Sequence, residues 1–364
     1  MRLLITTDTV GGVWRFGIEL VQGLLEAGDS VALVSFGRAP SVSQHLECDR
    51  LSKRWNRHFE YTATDTPLEW MQENRTTFEQ GVVALQETVQ TFGAELLHSN
   101  QYCYAAAGLG IPAVVTAHSD VLSWAEACHG SPLEGSAWLR RYCALVQTGL
   151  DHAAAVVAPT KWMLCTLGNH FALPGEKRTI ANGISVPPSL VPERNLQAVT
   201  AGRLWDEAKD ISLLQSVRSN VPLVIAGATV CEGTEAPLIP NAQYCGDLPQ
   251  EQLWGLFSRS AIYICTSRYE PFGLAPLEAA LCGCAVVARD IEPLREVWAE
   301  GAVFFSDADH LSYLLKALAD DPVRLCRQQQ LSLGRARQFT SERMAADYRS
   351  LYASIMQQEL AHAG

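Results

Sequence analysis

Residues 265–288 read CTSRYEPFGLAPLEAALCGCAVVA, and this stretch decides the fold. An apolar run ends at Thr266, and a polar loop, Ser-Arg-Tyr-Glu-Pro-Phe-Gly, leads into a helix. Pro276 falls in the first helical turn, where a missing N–H costs little, and Gly283 stops the helix. A second apolar run, Ala285–Ala288, follows at once. Strand, loop, helix and strand in immediate succession form the repeating unit of a parallel α/β sheet.

The same unit recurs outward. Toward the C-terminus a helix is expected at about Pro293–Ala299, and the chain is mostly helical from about Leu311. Upstream, strands are expected at Gln197–Ala201, Pro222–Ala226 and Ala261–Thr266, with helices near Ile211–Ser216, Glu251–Arg259 and Leu274–Leu281. Residues 183–198, GISVPPSLVPERNLQA, hold three prolines with little periodicity and read as a linker. Before it lies a second series of strands: Leu3–Thr6, Ser30–Ser35, Glu95–His98, Ala113–Thr116 and Ala155–Ala158. A Gly11–Gly12 turn, a helix from about Trp14 to Ala27 closed by Gly28, and another helix near Thr160–Leu167 connect them.

The fold class is therefore α/β, with two doubly wound Rossmann-like domains facing one another across a cleft. The expected boundaries are 1–185, 186–340 and a closing segment 341–364. Ligands of such sheets bind beyond the carboxyl ends of the strands.

Composition agrees and narrows the function. The 364 residues fit two domains, and 48% hydrophobic against 18% charged residues excludes disorder. A net charge of −11, from 28 basic and 39 acidic groups, argues against a nucleic-acid partner. The eleven cysteines form no paired ladder and read as reduced, mostly buried thiols of a cytoplasmic protein. Neither a signal peptide nor a transmembrane run is legible.

In the 265–288 stretch, Gly273 lets backbone N–H groups approach a ligand, and the helix start favours a phosphate. Glu270 and Glu278 flank that pocket. Carboxylates are poor phosphate ligands, so they are expected to accept hydrogen bonds from hydroxyls of a sugar or ribose. Two glutamates could also be an exposed loop residue and an ordinary helix residue.

The segment resembles the E-x7-E motif of the retaining family 4 glycosyltransferases of the GT-B fold, the glycosyl transferases group 1. Upstream, TAGRLWDEAKDISLL resembles the family's "GRL…KG…LL" pattern, with Asp210 where glycine is usual. CGCAVVARDIEPLREV, VPLVIAG, HAAAVVAPTKWM, IANGIS, GGVWRFGIELVQGL and VVTAHSDVLSW resemble further family segments, and FTSERMAADYRSLY its closing helix, which returns to the first domain. The resemblance spans nearly the whole chain and fades between about Pro40 and Glu95.

It implies a transferase that takes a sugar from a nucleoside diphosphate, UDP-glucose on prevalence, to an unidentified hydroxyl acceptor with an α bond. Arg203 and Lys209 would neutralise the departing diphosphate in place of a metal, so no metal and no cofactor is expected. Glu278 would bind the ribose and Glu270 the donor sugar, with backbone support from Phe272, Gly273 and Leu274. His118 would touch the sugar beside the breaking bond. Gly11 and Gly12 would admit phosphate or acceptor, although GGVWRFG lacks dinucleotide-fingerprint spacing.

Asp120 either joins the site or caps the next turn, and Trp14 either lines the acceptor site or packs the first helix. The basic run Arg50, Lys53, Arg54 and Arg57 reads better as a solvated helix face than as a membrane or acceptor dock. Closure about the linker is expected on donor binding. Two other classes remain open: another GT-B-type enzyme (a sugar-nucleotide epimerase or a phosphorylase) and a non-catalytic sugar-nucleotide-binding protein.

Overall fold

Strand propensity and burial coincide from the first residues: β1 (Arg2–Asp8) buries every side chain after Arg2. A continuous apolar run is what a parallel strand covered on both faces requires. The computed structural model describes residues 1–363 except 73, 132, 134, 187–193 and 232. The chain divides into two compact units: residues 1–126 and 131–183 with the C-terminal segment from Ser341, and residues 127–130 with 184–340.

In the first unit β1 is followed by α1 (Gly12–Glu26), β2 (Ser30–Phe36), α2 (Val42–Trp55), β3 (Phe59–Ala63), α3 (Thr77–Thr88), β4 (Leu96–Ser99) and β5 (Ala113–Thr116). Then come α4 (Val121–His129), α5 (Ala137–His152), β6 (Ala155–Ala158), α6 (Lys161–His170) and β7 (Lys177–Thr179). The seven strands are parallel in the order β3-β2-β1-β4-β5-β6-β7. The order reverses between β1 and β4, the switch point of a doubly wound sheet. Helix starts are fixed locally: Ser41 and Gln44 form a capping box on α2, and Thr160 accepts from the Met163 N–H at 3.1 Å to start α6.

The second unit holds β8 (Asn195–Ala201), β9 (Leu223–Ala226), a small hairpin of β10 (Val230–Cys231) and β11 (Thr234–Glu235), and β12 (Gln243–Gly246). It continues with α7 (Gln250–Arg259), β13 (Ser260–Cys265), α8 (Leu274–Leu281), β14 (Ala285–Arg289), α9 (Glu292–Trp298), β15 (Ala302–Phe305), α10 (Ala308–Asp320) and α11 (Pro322–Ala336). Its main sheet runs β12-β9-β8-β13-β14-β15, all parallel, and reverses between β8 and β13. A core including Ile225, Ile262, Ile264, Val287, Phe305, Leu311 and Leu315 lies on one face. The final helix, α12 (Ser341–Ala363), belongs to the first unit and packs on α1, where Gly23 faces Ala345.

Several sequence expectations need correction. The helix expected at Ile211–Ser216 is a 3-10 turn, because it starts from Asp210 in the left-handed conformation (φ 41°) and stops at extended Val217. The segment 183–198 lies partly outside the described residues, and its end from Asn195 is already strand. Strands β3, β7 and β12 carry no clear apolar signal, and each lies at a sheet edge; β7, Lys-Arg-Thr, is wholly exposed. Among the described thiols Cys48, Cys103, Cys265, Cys282 and Cys284 are buried, but Cys165 and Cys326 sit on exposed helix surface.

The basic run forms the solvated face of α2 and its end, with Leu51 and Cys48 turned inward and Arg54 stacked over Trp55. Trp14 is buried, packs edge-on to Tyr61 and donates to Glu47 at 2.7 Å.

Candidate active site

In the second unit the loops after β8 and β13 leave adjacent strands at the switch point. The turn after β8 is held close by glycine. A Cβ on Gly227 (φ 129°) would lie 1.9 Å from the Gly202 carbonyl oxygen, so the two backbones touch where no side chain fits. Beyond Gly202, Asp206 closes the turn twice: it accepts from the Ala208 N–H at 3.0 Å and from the Arg203 guanidinium at 2.7 Å. The next residues are sewn to the loop after β13, since Thr266 Oγ1 donates to the Lys209 carbonyl at 2.6 Å and the Arg268 N–H to the Ala208 carbonyl at 2.8 Å.

This stitching places Lys209 Nζ 2.5 Å from Glu270 Oε2, which also accepts from Ser267 Oγ at 2.8 Å. A pocket lined by Thr200, Ala201, Gly202, Lys209, Cys265, Thr266, Ser267 and Glu270 opens over this pair. Burial pulls the Lys209 ammonium toward neutrality and Arg203 reinforces that, but the facing Glu270 outweighs both and holds its pKa above the ordinary value. Lys209 therefore carries full positive charge in a largely desolvated site.

Asp210 adjoins it with its carboxylate almost wholly buried, accepting from Arg268 Nε at 2.7 Å, Arg289 at 2.5 Å and Ser212 Oγ at 2.7 Å. Burial alone would raise the pKa of this carboxyl; those three donors more than offset it and hold it below the usual range.

α8 starts from Gly273 at φ 90°, and a Cβ there would crowd Pro276 and Glu270. The Phe272 ring turns into the core, edge-on to Phe339 at 5.4 Å, so its backbone alone faces the turn into the helix; Leu274 begins the helix itself. Glu278 is buried on α8 and accepts from Gln250 Nε2 at 2.7 Å. Lys209 and Glu270 thus come into contact. Arg203 reaches them through its charge while its guanidinium lies on Asp206, and Glu278 stands apart from the pocket lining.

In the first unit the loops after β1, β4 and β5 lie side by side. Gly11 (φ 80°, exposed) caps α1 and Gly12 begins it. His118 Nε2 meets Asn100 Oδ1 at 2.7 Å, and its ring packs edge-on to Phe16 at 4.5 Å. Beneath it His98, fully buried, bonds to Tyr352 of α12 at 2.5 Å and to Thr116 at 3.1 Å, and Thr116 reaches Tyr348 of the same helix. Asp120 caps α4, accepting from the N–H groups of Leu122 and Ser123 at 2.9 Å each. That is the turn-capping role, and it occupies the carboxylate.

Burial lowers the pKa of His98 to about 4 and that of His118 to about 3. Both imidazoles are neutral at physiological pH. A histidine held neutral in the native state but free to protonate when unfolded contributes stability that is complete above about 6.5. That contribution disappears as pH falls through the native value, and for His98 it is roughly 3 kcal/mol. The melting temperature should therefore decline between pH 6.5 and 4, and His98→Gln should flatten that decline. An identical acid dependence in the variant would count against it.

Among the described residues no group of three or more His, Cys, Asp or Glu side chains is placed to hold a metal ion. Nor is any described helix long and apolar enough to cross a membrane.

Residues 10–186 match the model of Glycosyltransferase Family 4, and residues 192–332 that of Glycosyl transferases group 1. The chain belongs to the group 1 glycosyltransferases.

The alpha-maltose-1-phosphate synthase of Mycolicibacterium smegmatis is 26% identical over 248 residues, covering 57% of this chain and 62% of that relative. The chain therefore spans about six-tenths of that relative's length. Among solved structures, sucrose-phosphate synthase from Thermosynechococcus elongatus superposes with a TM-score of 0.78 at 18% identity, covering all of both chains. The Anabaena protein HepE in complex with UDP-glucose gives 0.73 at 16%, covering 97% of this chain and 100% of that one. At these identities the superpositions establish the GT-B fold.

Three residues of these two clusters escaped sequence reading. Ser267 lies three residues before Glu270 on the same loop and was open to inspection. Gln250 and Asn100 carry no local signal, because their partners, Glu278 and His118, are 28 and 18 positions away.

Proposed function

We propose that this chain is a retaining glycosyltransferase that moves glucose from UDP-glucose to a hydroxyl acceptor, forming an α-glycosidic bond without a metal ion. The observation that carries this reading is the Lys209–Glu270 contact in the pocket at the β8/β13 switch point. It sets a fixed cation beside a carboxylate at the carboxyl ends of the strands, where ligands of such folds bind. HepE, which shares the fold, was solved with UDP-glucose, and this supports the choice of donor.

In this reading the β-phosphate of the donor takes the Lys209 ammonium, with Arg203 adding charge, and Glu270 turns to the hydroxyls of the sugar. As the glycosidic C–O bond breaks, negative charge grows on the leaving diphosphate, where a preorganised cation acts most strongly. The departing phosphate oxygen then accepts the acceptor's proton on the face from which the new bond forms, so the anomeric configuration is kept. Glu278 holds the ribose with Gln250 steadying its carboxylate, and neutral His118 serves as a hydrogen-bonding group.

The test is incubation with UDP-, ADP- and GDP-glucose and GDP-mannose, following nucleoside diphosphate release and the anomer of the freed sugar by proton NMR. The expected result is slow hydrolysis of UDP-glucose yielding the α-anomer first. A β-anomer first would overturn retention, and release from none of the four would overturn the enzyme reading. Glu278→Gln should raise the donor KM about 10- to 100-fold with kcat little changed, as loss of a charged hydrogen bond to the bound state implies; an unaltered KM removes Glu278 from the donor site.

A further inference from the structure

The resemblance places glycine where this chain has Asp210, and the backbone there is left-handed (φ 41°, ψ 46°), a region that favours glycine. A non-glycine residue is thus held in a conformation it does not prefer, immediately after Lys209. Its carboxylate is 4% exposed, whereas Arg268 and Arg289, which clasp it, are 44% and 21% exposed. Water could solvate both arginines without it, so their desolvation does not explain the residue. The clasp instead joins three segments: the turn carrying Lys209, the loop after β13 carrying Glu270, and the end of β14. Arg289 also donates to the Thr266 carbonyl at 3.2 Å, and Thr266 donates to that of Lys209, so the network closes around the lysine.

We propose that Asp210 is a positioning residue: clamped between Arg268 and Arg289, it fixes the turn that aims the Lys209 ammonium into the pocket beside Glu270. This rests on the catalytic reading of Lys209 given above. Backbone strain of this kind persists where the surrounding structure over-determines it, as at functional sites. Here an acid supplies anchoring that glycine could not.

The experiment is a double-mutant cycle of Asp210→Gly and Asp210→Asn, each alone and with Lys209→Ala, measuring UDP release from UDP-glucose and thermal unfolding. Glycine removes the strain with the carboxylate, so the Asp210→Gly protein should fold with an undiminished melting temperature. Its kcat should fall about 10- to 100-fold with donor KM changed less, as displacement of a catalytic group by about 1 Å implies. Asparagine tolerates the left-handed backbone and keeps part of the hydrogen bonding, so Asp210→Asn should lie between wild type and glycine. In the Lys209→Ala background both changes should have almost no effect.

Wild-type kcat in Asp210→Gly, with Lys209→Ala impaired, overturns the positioning role and leaves the catalytic reading standing. An equal loss in both backgrounds shows that Asp210 acts independently of Lys209 and also overturns it. Full activity in Lys209→Ala itself defeats the catalytic reading instead.

Discussion

Lys209→Ala should slow UDP release from saturating UDP-glucose by about 10²- to 10³-fold, the scale set by loss of one preorganised charge-stabilising group. The size follows from where the charge sits. Lys209 is largely shielded from water and stays protonated because Glu270 outweighs its burial, so its field acts on a departing diphosphate with little screening. Arg203 cannot substitute, being 39% exposed and committed to Asp206. Lys209→Arg keeps the charge but presents a planar fork in place of a compact ammonium, and should recover only part of the rate. Unchanged turnover in the alanine protein, with its melting curve intact, would falsify the leaving-group role.

Gly149→Ala should cost more than about 3 kcal/mol of stability, at the upper end of overpacking effects. A methyl group at this position in α5 would lie 1.9 Å from the Tyr102 carbonyl oxygen and 3.0 Å from the Cys103 Cα. Both obstacles are backbone, and that backbone cannot retreat: the buried Glu69 carboxylate accepts from the N–H groups of Tyr102 and Cys103 at 2.8 and 2.9 Å. Burial raises the pKa of Glu69 against the opposing pull of those hydrogen bonds, so the carboxyl and the turn it braces form one buried unit. For a domain of this size the melting temperature should drop by roughly 6–12 °C. A melting curve that matched the wild type would show that α5 and the turn at Cys103 can separate.

The parallel α/β architecture was legible because buried strands in such sheets are continuous apolar runs. Leu3–Ile5, Val31–Val34, Ala261–Ile264 and Ala285–Ala288 all declare themselves without knowledge of their partners. The edge strands β3 and β7 did not, because an edge needs less apolar surface and β7 is entirely polar. Helix α8 could be bounded from sequence alone, since Pro276 and Gly283 act locally through backbone geometry.

The site divides along the same line. The resemblance to the family's motifs picked out Glu270, Glu278, Arg203 and Lys209; spacing alone would leave them a loop and a helix glutamate and two surface cations. The same resemblance isolated Asp210 as a departure from glycine, but it could not say what the carboxylate does. Its two arginine partners lie 58 and 79 positions away, and they meet it only because β13 and β14 follow one another in the sheet beside β8. Likewise the neutrality of His98 and His118 is no property of histidine in isolation: it comes from burial under α12 and α1. Local backbone preference and apolar patterning thus sufficed for the central strands and for α8. Strand order alone decided which distant side chains share a boundary, and through desolvation it set the charge each one carries.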